Sequence, residues 1–184
     1  GFGIGFINTI FFARQDWFSV EQYGLTRSFF DFGQVIYACS FLGTTSIIYK
    51  FYPYYKAHLK DEDNDLLSWN LLVSLLGFLI FLGLSLYFKD FFIRKFSTKS
   101  PLLVQYYYWI FPFGFFFLMF SVMEAYCWSL KRTVISNFLK EAGLRLFTLV
   151  LISLFIFKFI DFNLFIKLFS FTYGLILLLI ILYL

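Results

Sequence analysis

Residues 66–88 read LLSWNLLVSLLGFLIFLGLSLYF, and this stretch contains no charged side chain. A helix that crosses the hydrocarbon core of a bilayer needs about 20 consecutive apolar residues. A helix that is apolar on every side must be surrounded by lipid or by protein. The stretch therefore predicts a transmembrane helix, and it decides the class of fold.

The composition of the whole chain agrees with that class. Of its 184 residues, 61% are hydrophobic, 26% are aromatic and 14% are charged. Soluble domains are about 45–50% apolar and about 25% charged. A core of this size cannot bury 31 Phe and 13 Tyr side chains, so we expect lipid to be the solvent for most of the surface.

Long apolar runs recur along the chain, separated by short links that contain most of the charge. Strands of an outer-membrane barrel would instead alternate over segments of about ten residues. We therefore predict an all-α polytopic membrane protein, with residues 1–184 forming a single bundle of six transmembrane helices. The first run has no Met before it and the last is still apolar at residue 184, so the pattern predicts a fragment. The predicted helices are approximately 1–13, 26–49, 66–88, 101–128, 137–158 and 164–184.

Several functions lack support in the sequence. The net charge is +4, but the basic residues lie mostly in the links, where lipid headgroups explain them, so no nucleic-acid partner is predicted. A phosphate-binding loop of the form G-x-x-x-x-G-K-[ST] is missing. Cys39 and Cys127 are predicted to be buried free thiols, and with a single His they make no metal site. We predict no metal, cofactor or catalytic residue.

A polar face marks the start of the second helix. Arg27, Asp31 and Gln34 are spaced i, i+4 and i+7, so they share one side. One interpretation is the lining of a cavity, in which Arg27 binds phosphate or carboxylate and Asp31 holds it in place. The other is an ion pair at the membrane interface, with the arginine reaching toward the headgroups.

Two further clusters are candidates on the same grounds, because ionisable residues within a span are costly and tend to face a bundle interior. Glu141 and Arg145 have the favourable i, i+4 order of an ion pair at the start of the fifth helix. Glu124 lies near the end of the fourth helix, two turns before Lys131 and Arg132. Each cluster can equally be a local pair at headgroup depth.

Four short motifs resemble one family of transporters. They are EQYG at 21–24, SFLGTTSII at 40–48, YKFYPYYK at 49–56 and KEAGLRL at 140–146. In order and spacing they resemble the polysaccharide biosynthesis, or O-antigen flippase, family of the multidrug/oligosaccharidyl-lipid/polysaccharide (MOP) exporter superfamily.

The resemblance implies a fold, a function and a place. Such proteins have 12–14 helices in two bundles, so the six helices here would be the amino-terminal half. They translocate a lipid-linked oligosaccharide or polysaccharide precursor, such as one for lipopolysaccharide, across the bacterial inner membrane by alternating access. The amino terminus would be cytoplasmic, which the charges of the links do not settle. The cavity is commonly basic, and Arg14 and Arg27 are the residues best placed to line it. The partners would be that glycan and membrane lipids.

Two rival functions remain open. In a cation-coupled multidrug antiporter of the same superfamily, Asp31 or Glu124 would carry a proton or a sodium ion. A membrane glycan polymerase or glycosyltransferase would need a large external loop, and the links here are short.

Overall fold

The structure, a computed structural model, describes residues 2–13, 17–60 and 64–184. It is helical throughout, and no β-strand occurs in these ranges. It includes a 3₁₀ turn at Tyr107–Trp109 and a π-helical segment, called the π segment below, at Leu139–Gly143. The α-helices are α1 (Phe2–Ala13), α2 (Val20–Ser40), α3 (Thr44–His58), α4 (Leu66–Tyr87), α5 (Lys89–Phe96), α6 (Pro101–Gln105), α7 (Ile110–Ser129), α8 (Thr133–Phe138), α9 (Leu144–Ile156), α10 (Phe162–Ser170) and α11 (Thr172–Tyr183).

Three helical stretches in the described ranges are long and apolar enough to cross a membrane: Leu66–Tyr87, Tyr107–Ser129 and Phe162–Tyr183. A shorter apolar helix covers Gly3–Phe12. The first stretch is 28% buried within the chain, whereas the second is 67% buried. Helix α4 therefore presents most of its apolar surface outward, and α7 is the central helix.

Helix α7 is packed on several sides, against α2, α3, α4 and α11. Glycines let α2 and α7 approach closely. A Cβ at Gly33 would lie 2.9 Å from the Phe113 ring. A Cβ at Gly114 would overlap the side chain of Ile36. Phe113 is fully buried and its ring stacks on Phe169, so aromatic packing extends the core to α10.

The second predicted helix, 26–49, is two helices in the structure. Helix α2 begins earlier, at Val20, because Ser19 and Gln22 form a reciprocal capping box. It ends at Ser40, and Leu42 and Gly43 both have positive φ, at 47° and 79°. That backbone interrupts the helix before α3 begins.

The break in the helix lies against α4. A Cβ at Gly77 would overlap the carbonyl oxygen of Ser40. Close by, the hydroxyls of Thr44 and Ser74 form a buried hydrogen bond of 3.1 Å. Packing against α4 therefore stabilises the bend between α2 and α3 that the positive φ angles of Leu42 and Gly43 produce.

Other boundaries also differ from the sequence prediction. The helix expected over 101–128 is divided into α6, the 3₁₀ turn and α7. Pro112 lies in the first turn of α7, where proline is tolerated. The helix expected over 137–158 is preceded by α8 and ends at Ile156. The last helix begins at Phe162, where the Asp161 carboxylate caps the Leu164 amide, and it is interrupted at Phe171.

Candidate functional site

A cavity of about 700 Å³ opens between α1, α2, the π segment and α9. Side chains of α10 and α11 close its apolar side, where Phe169 and Tyr173 lie. Five of the candidate residues line this cavity: Arg27, Asp31, Gln34, Glu141 and Arg145. The first three lie on α2, and the other two are more than 100 residues further along the chain.

The polar residues that recur every three or four positions along α2 all face the cavity. Arg27, Asp31 and Gln34 are all exposed, and all three face the same space. Thr26, beside them, is buried and donates its hydroxyl to the backbone of Tyr23. The helix thus turns its polar stripe to the cavity and its apolar side to α7.

Arg27 and Asp31 do not form the ion pair that the sequence suggested, so the prediction that Asp31 holds Arg27 in place is wrong. The guanidinium instead donates from Nε and Nη2 to the hydroxyl of Tyr23, at 3.1 and 3.0 Å. Long side chains on a helix lean toward its N-terminus, which carries Arg27 toward Tyr23 and away from Asp31. Among the residues that the structure describes, Asp31 has no ion-pair partner.

Arg145 lies on the opposite wall and is held by several contacts. Its Nη2 is 2.7 Å from Oε2 of Glu141, the i, i+4 ion pair expected from the sequence. The side-chain amide of Asn8 donates to its backbone carbonyl at 3.0 Å. A Cβ at Gly5 would lie 2.7 Å from Nη1, so α1 and α9 approach each other here because residue 5 has no side chain.

Asn8 was not predicted as a site residue. It is 7% exposed, it lines the cavity, and none of the described residues donates a hydrogen bond to its Oδ1. A buried acceptor without a donor is costly. The signal in the sequence was a single amide within the apolar run 1–13, whose partner lies 137 residues away.

Glu124 has a different partner from the one that the sequence suggested. It is buried on α7, 8% exposed. Its partner is Lys140, whose Nζ lies 2.8 Å from Oε2 and 3.2 Å from Oε1; Lys131 and Arg132 form no ion pair with it. Lys140 lines the cavity and Glu124 does not. Glu124 therefore affects the cavity by holding and neutralising Lys140.

The π segment explains how neighbouring residues serve different partners. It spans Leu139–Gly143 and is one of the wide turns often found at functional sites. Within it, Lys140 reaches α7 while Glu141 pairs with Arg145 of α9. Lys140 therefore ties the π segment to α7, whereas the pair of Glu141 and Arg145 lies within the continuous run from the π segment into α9.

Charged side chains of both signs line the cavity among the described residues. Three are cations, Arg27, Lys140 and Arg145, and two are carboxylates, Asp31 and Glu141. Glu124 lies behind Lys140 and pairs with it.

Arg14 lies outside the described residues. Cys127 is buried, but Cys39 is exposed, so the prediction of two buried thiols is wrong for Cys39, which faces outward on α2. In the described ranges no three His, Cys, Asp or Glu side chains are grouped as metal ligands would be.

Comparisons of the chain with models of protein families, with curated proteins and with solved structures gave no match. The cavity and the sequence are therefore the grounds from which a function can be inferred.

Proposed function

We propose that this chain belongs to a flippase that moves a lipid-linked oligosaccharide or polysaccharide precursor across the bacterial inner membrane by alternating access. The observation that carries the proposal is the cavity of about 700 Å³, lined by charged side chains within a chain of apolar helices. A headgroup bearing phosphate and sugar cannot cross hydrocarbon unaided. A polar cavity supplies substitutes for its hydration.

The size and lining of the cavity suit such a cargo. Small-molecule sites typically enclose about 300–1,000 Å³. Arg27 offers a planar fork that matches phosphate oxygens. Phe6, Phe30 and Tyr173 provide aromatic surface beside the charges, which suits the apolar faces of sugar rings and the start of a lipid chain.

The architecture supports the same function. The three long apolar helices would cross the membrane, and α1, α2–α3 and α8–α9 would complete six crossings. Together they would form the amino-terminal bundle of a two-bundle transporter, as the resemblance in sequence implies. Discontinuous helices such as α2–α3 are common in transporters, where they accompany sites near the middle of the bilayer.

A cation-coupled multidrug antiporter is a second candidate, and Asp31 is the observation that favours it. Asp31 is a carboxylate that faces the cavity without an ion-pair partner among the described residues. Glu124 is a weaker carrier, because Lys140 already neutralises it.

The test compares Arg27→Ala with Arg94→Ala in the full-length protein. Arg94 is also an exposed arginine, but it lies on α5, outside the cavity. Loss of a charge-assisted hydrogen bond to cargo is worth about 1.5–3 kcal/mol, so Arg27→Ala should reduce surface glycan by about tenfold at equal amounts of inserted protein. Arg94→Ala should leave surface glycan unchanged. Normal export by Arg27→Ala, or drug efflux that follows the cation gradient, would contradict the flippase proposal.

A further inference from the structure

We propose that the headgroup of the cargo carries an amino group as well as a phosphate, and that Asp31 binds the amine while Arg27 binds the phosphate. This inference rests on the proposed function and adds the chemical class of the cargo to it. A headgroup with both groups is zwitterionic, as in an amino sugar phosphate.

Some of the charged side chains at the cavity are paired and others are not. Lys140 is engaged by Glu124 at 2.8 Å, and Arg145 by Glu141 at 2.7 Å. Arg27 and Asp31 make no ion pair with any described residue, although both line the cavity and both are exposed. One cation and one anion are thus left for a ligand.

The two groups are separate from each other. Residues four apart on a helix are about 6 Å apart along its axis. Tyr23 holds the guanidinium of Arg27 by two hydrogen bonds on the side away from Asp31. The two side chains therefore act as separate binding groups along α2, and both face the same cavity.

Arg27 and Asp31 require different chemical groups in a ligand. An ionised carboxylate only accepts hydrogen bonds, and a guanidinium only donates them. A second phosphate placed beside Asp31 would be repelled by it. A neutral polyol would leave both charges without a counter-charge. An ammonium group beside Asp31 and a phosphate beside Arg27 satisfy both side chains.

Carboxylates neutralise most of the positive charge at the cavity. Of the three described cations that line it, Lys140 pairs with Glu124 and Arg145 with Glu141. A site whose other cations are already paired does not favour a polyanionic cargo over a zwitterionic one. Gln34, one turn beyond Asp31 on the same face, has both a donor and an acceptor for the hydroxyls of a sugar.

The experiment measures binding of three soluble probes to the purified full-length protein by isothermal titration calorimetry. The probes are glucosamine 1-phosphate, N-acetylglucosamine 1-phosphate and glucose 1-phosphate. They share the sugar phosphate and differ at one position, and only the first carries a free amine. We expect glucosamine 1-phosphate to bind about tenfold more tightly than the other two, the size expected for a hydrogen bond between charged groups.

Three variants locate the preference. Asp31→Asn should remove the preference for the amine and leave the other two affinities nearly unchanged. Arg27→Gln should weaken all three probes by about tenfold. Asp90→Asn changes an exposed carboxylate on α5 outside the cavity, and it should behave as the unmodified protein.

The outcomes separate this inference from the function on which it rests. Equal affinities for the three probes, or a preference that survives Asp31→Asn, would overturn the zwitterionic cargo and leave the flippase proposal standing. Equal weakening of all three probes by Asp31→Asn would also overturn it, because Asp31 would then serve the cavity in another way. Binding of none of the probes would overturn the proposed function itself.

Discussion

Substituting Lys140 should lower the free energy of unfolding much more than substituting Glu124, its partner in a buried ion pair. Glu124 is the buried partner, with its side chain 11% exposed, whereas that of Lys140 is 40% exposed. Replacing Lys140 by Met keeps the apolar stem and leaves the carboxylate without its charged partner. Breaking a buried pair in this way costs about 3–5 kcal/mol, and water around Lys140 places the value at the lower end, about 3 kcal/mol.

The opposite change should be milder. Glu124→Gln keeps the shape and one acceptor, and the lysine it releases can be solvated, so we expect a loss of about 1 kcal/mol. The double variant contains no uncompensated charge. Its loss should also be about 1 kcal/mol, so the second substitution restores about 2 kcal/mol relative to Lys140→Met alone.

Equilibrium unfolding in mixed micelles with increasing dodecyl sulfate, followed by circular dichroism, gives the free energy of unfolding for all four proteins. The reasoning would be refuted if Glu124→Gln were as destabilising as Lys140→Met. It would also be refuted if the losses of the two single variants simply added in the double variant.

Two further predictions concern packing and the arginine on α2. Gly77→Ala should destabilise the protein by about 2 kcal/mol, because the new Cβ overlaps the carbonyl of Ser40; Gly83→Ala, on the same helix with nothing within 4 Å, should be neutral or stabilising by about 0.5 kcal/mol in the same unfolding assay. Equal losses of unfolding free energy from Gly77→Ala and Gly83→Ala would contradict the close approach of α4 to the break after Ser40. Tyr23→Phe should weaken binding of sugar phosphates about threefold in calorimetry, since Arg27 keeps its charge but loses its fixed position; unchanged affinity would count against that role.

The sequence predicted correctly the features that depend only on residues close together in one helix. The span 66–88 was predicted from its length and lack of charge, and the structure has a helix at Leu66–Tyr87. The i, i+4 pair of Glu141 and Arg145 was likewise predicted from spacing alone and is present. Both depend on the geometry of a single helix, which is the same in any protein.

Features that depend on packing between distant residues were missed. The partner of Glu124 is 16 residues away and reaches it through a π segment, which no spacing rule indicates. The break between α2 and α3 requires a positive φ at Leu42, a residue type that gives no warning of it. The ion pair of Arg27 and Asp31 was predicted from spacing, but the nearby hydroxyl of Tyr23 takes the guanidinium instead.

The most direct test of a water-filled cargo cavity is labelling of single cysteines in native membranes with a membrane-impermeant maleimide. Gln34→Cys lies on the cavity face of α2, and Leu79→Cys lies on the outward face of α4, where the leucine is 51% exposed. Both are made in a Cys39→Ser background, since Cys127 is buried. We predict that Gln34→Cys reacts and is protected by glucosamine 1-phosphate, while Leu79→Cys does not react. Labelling of Leu79→Cys with none at Gln34→Cys would contradict the cavity, and labelling of Gln34→Cys without protection would contradict its role in binding cargo.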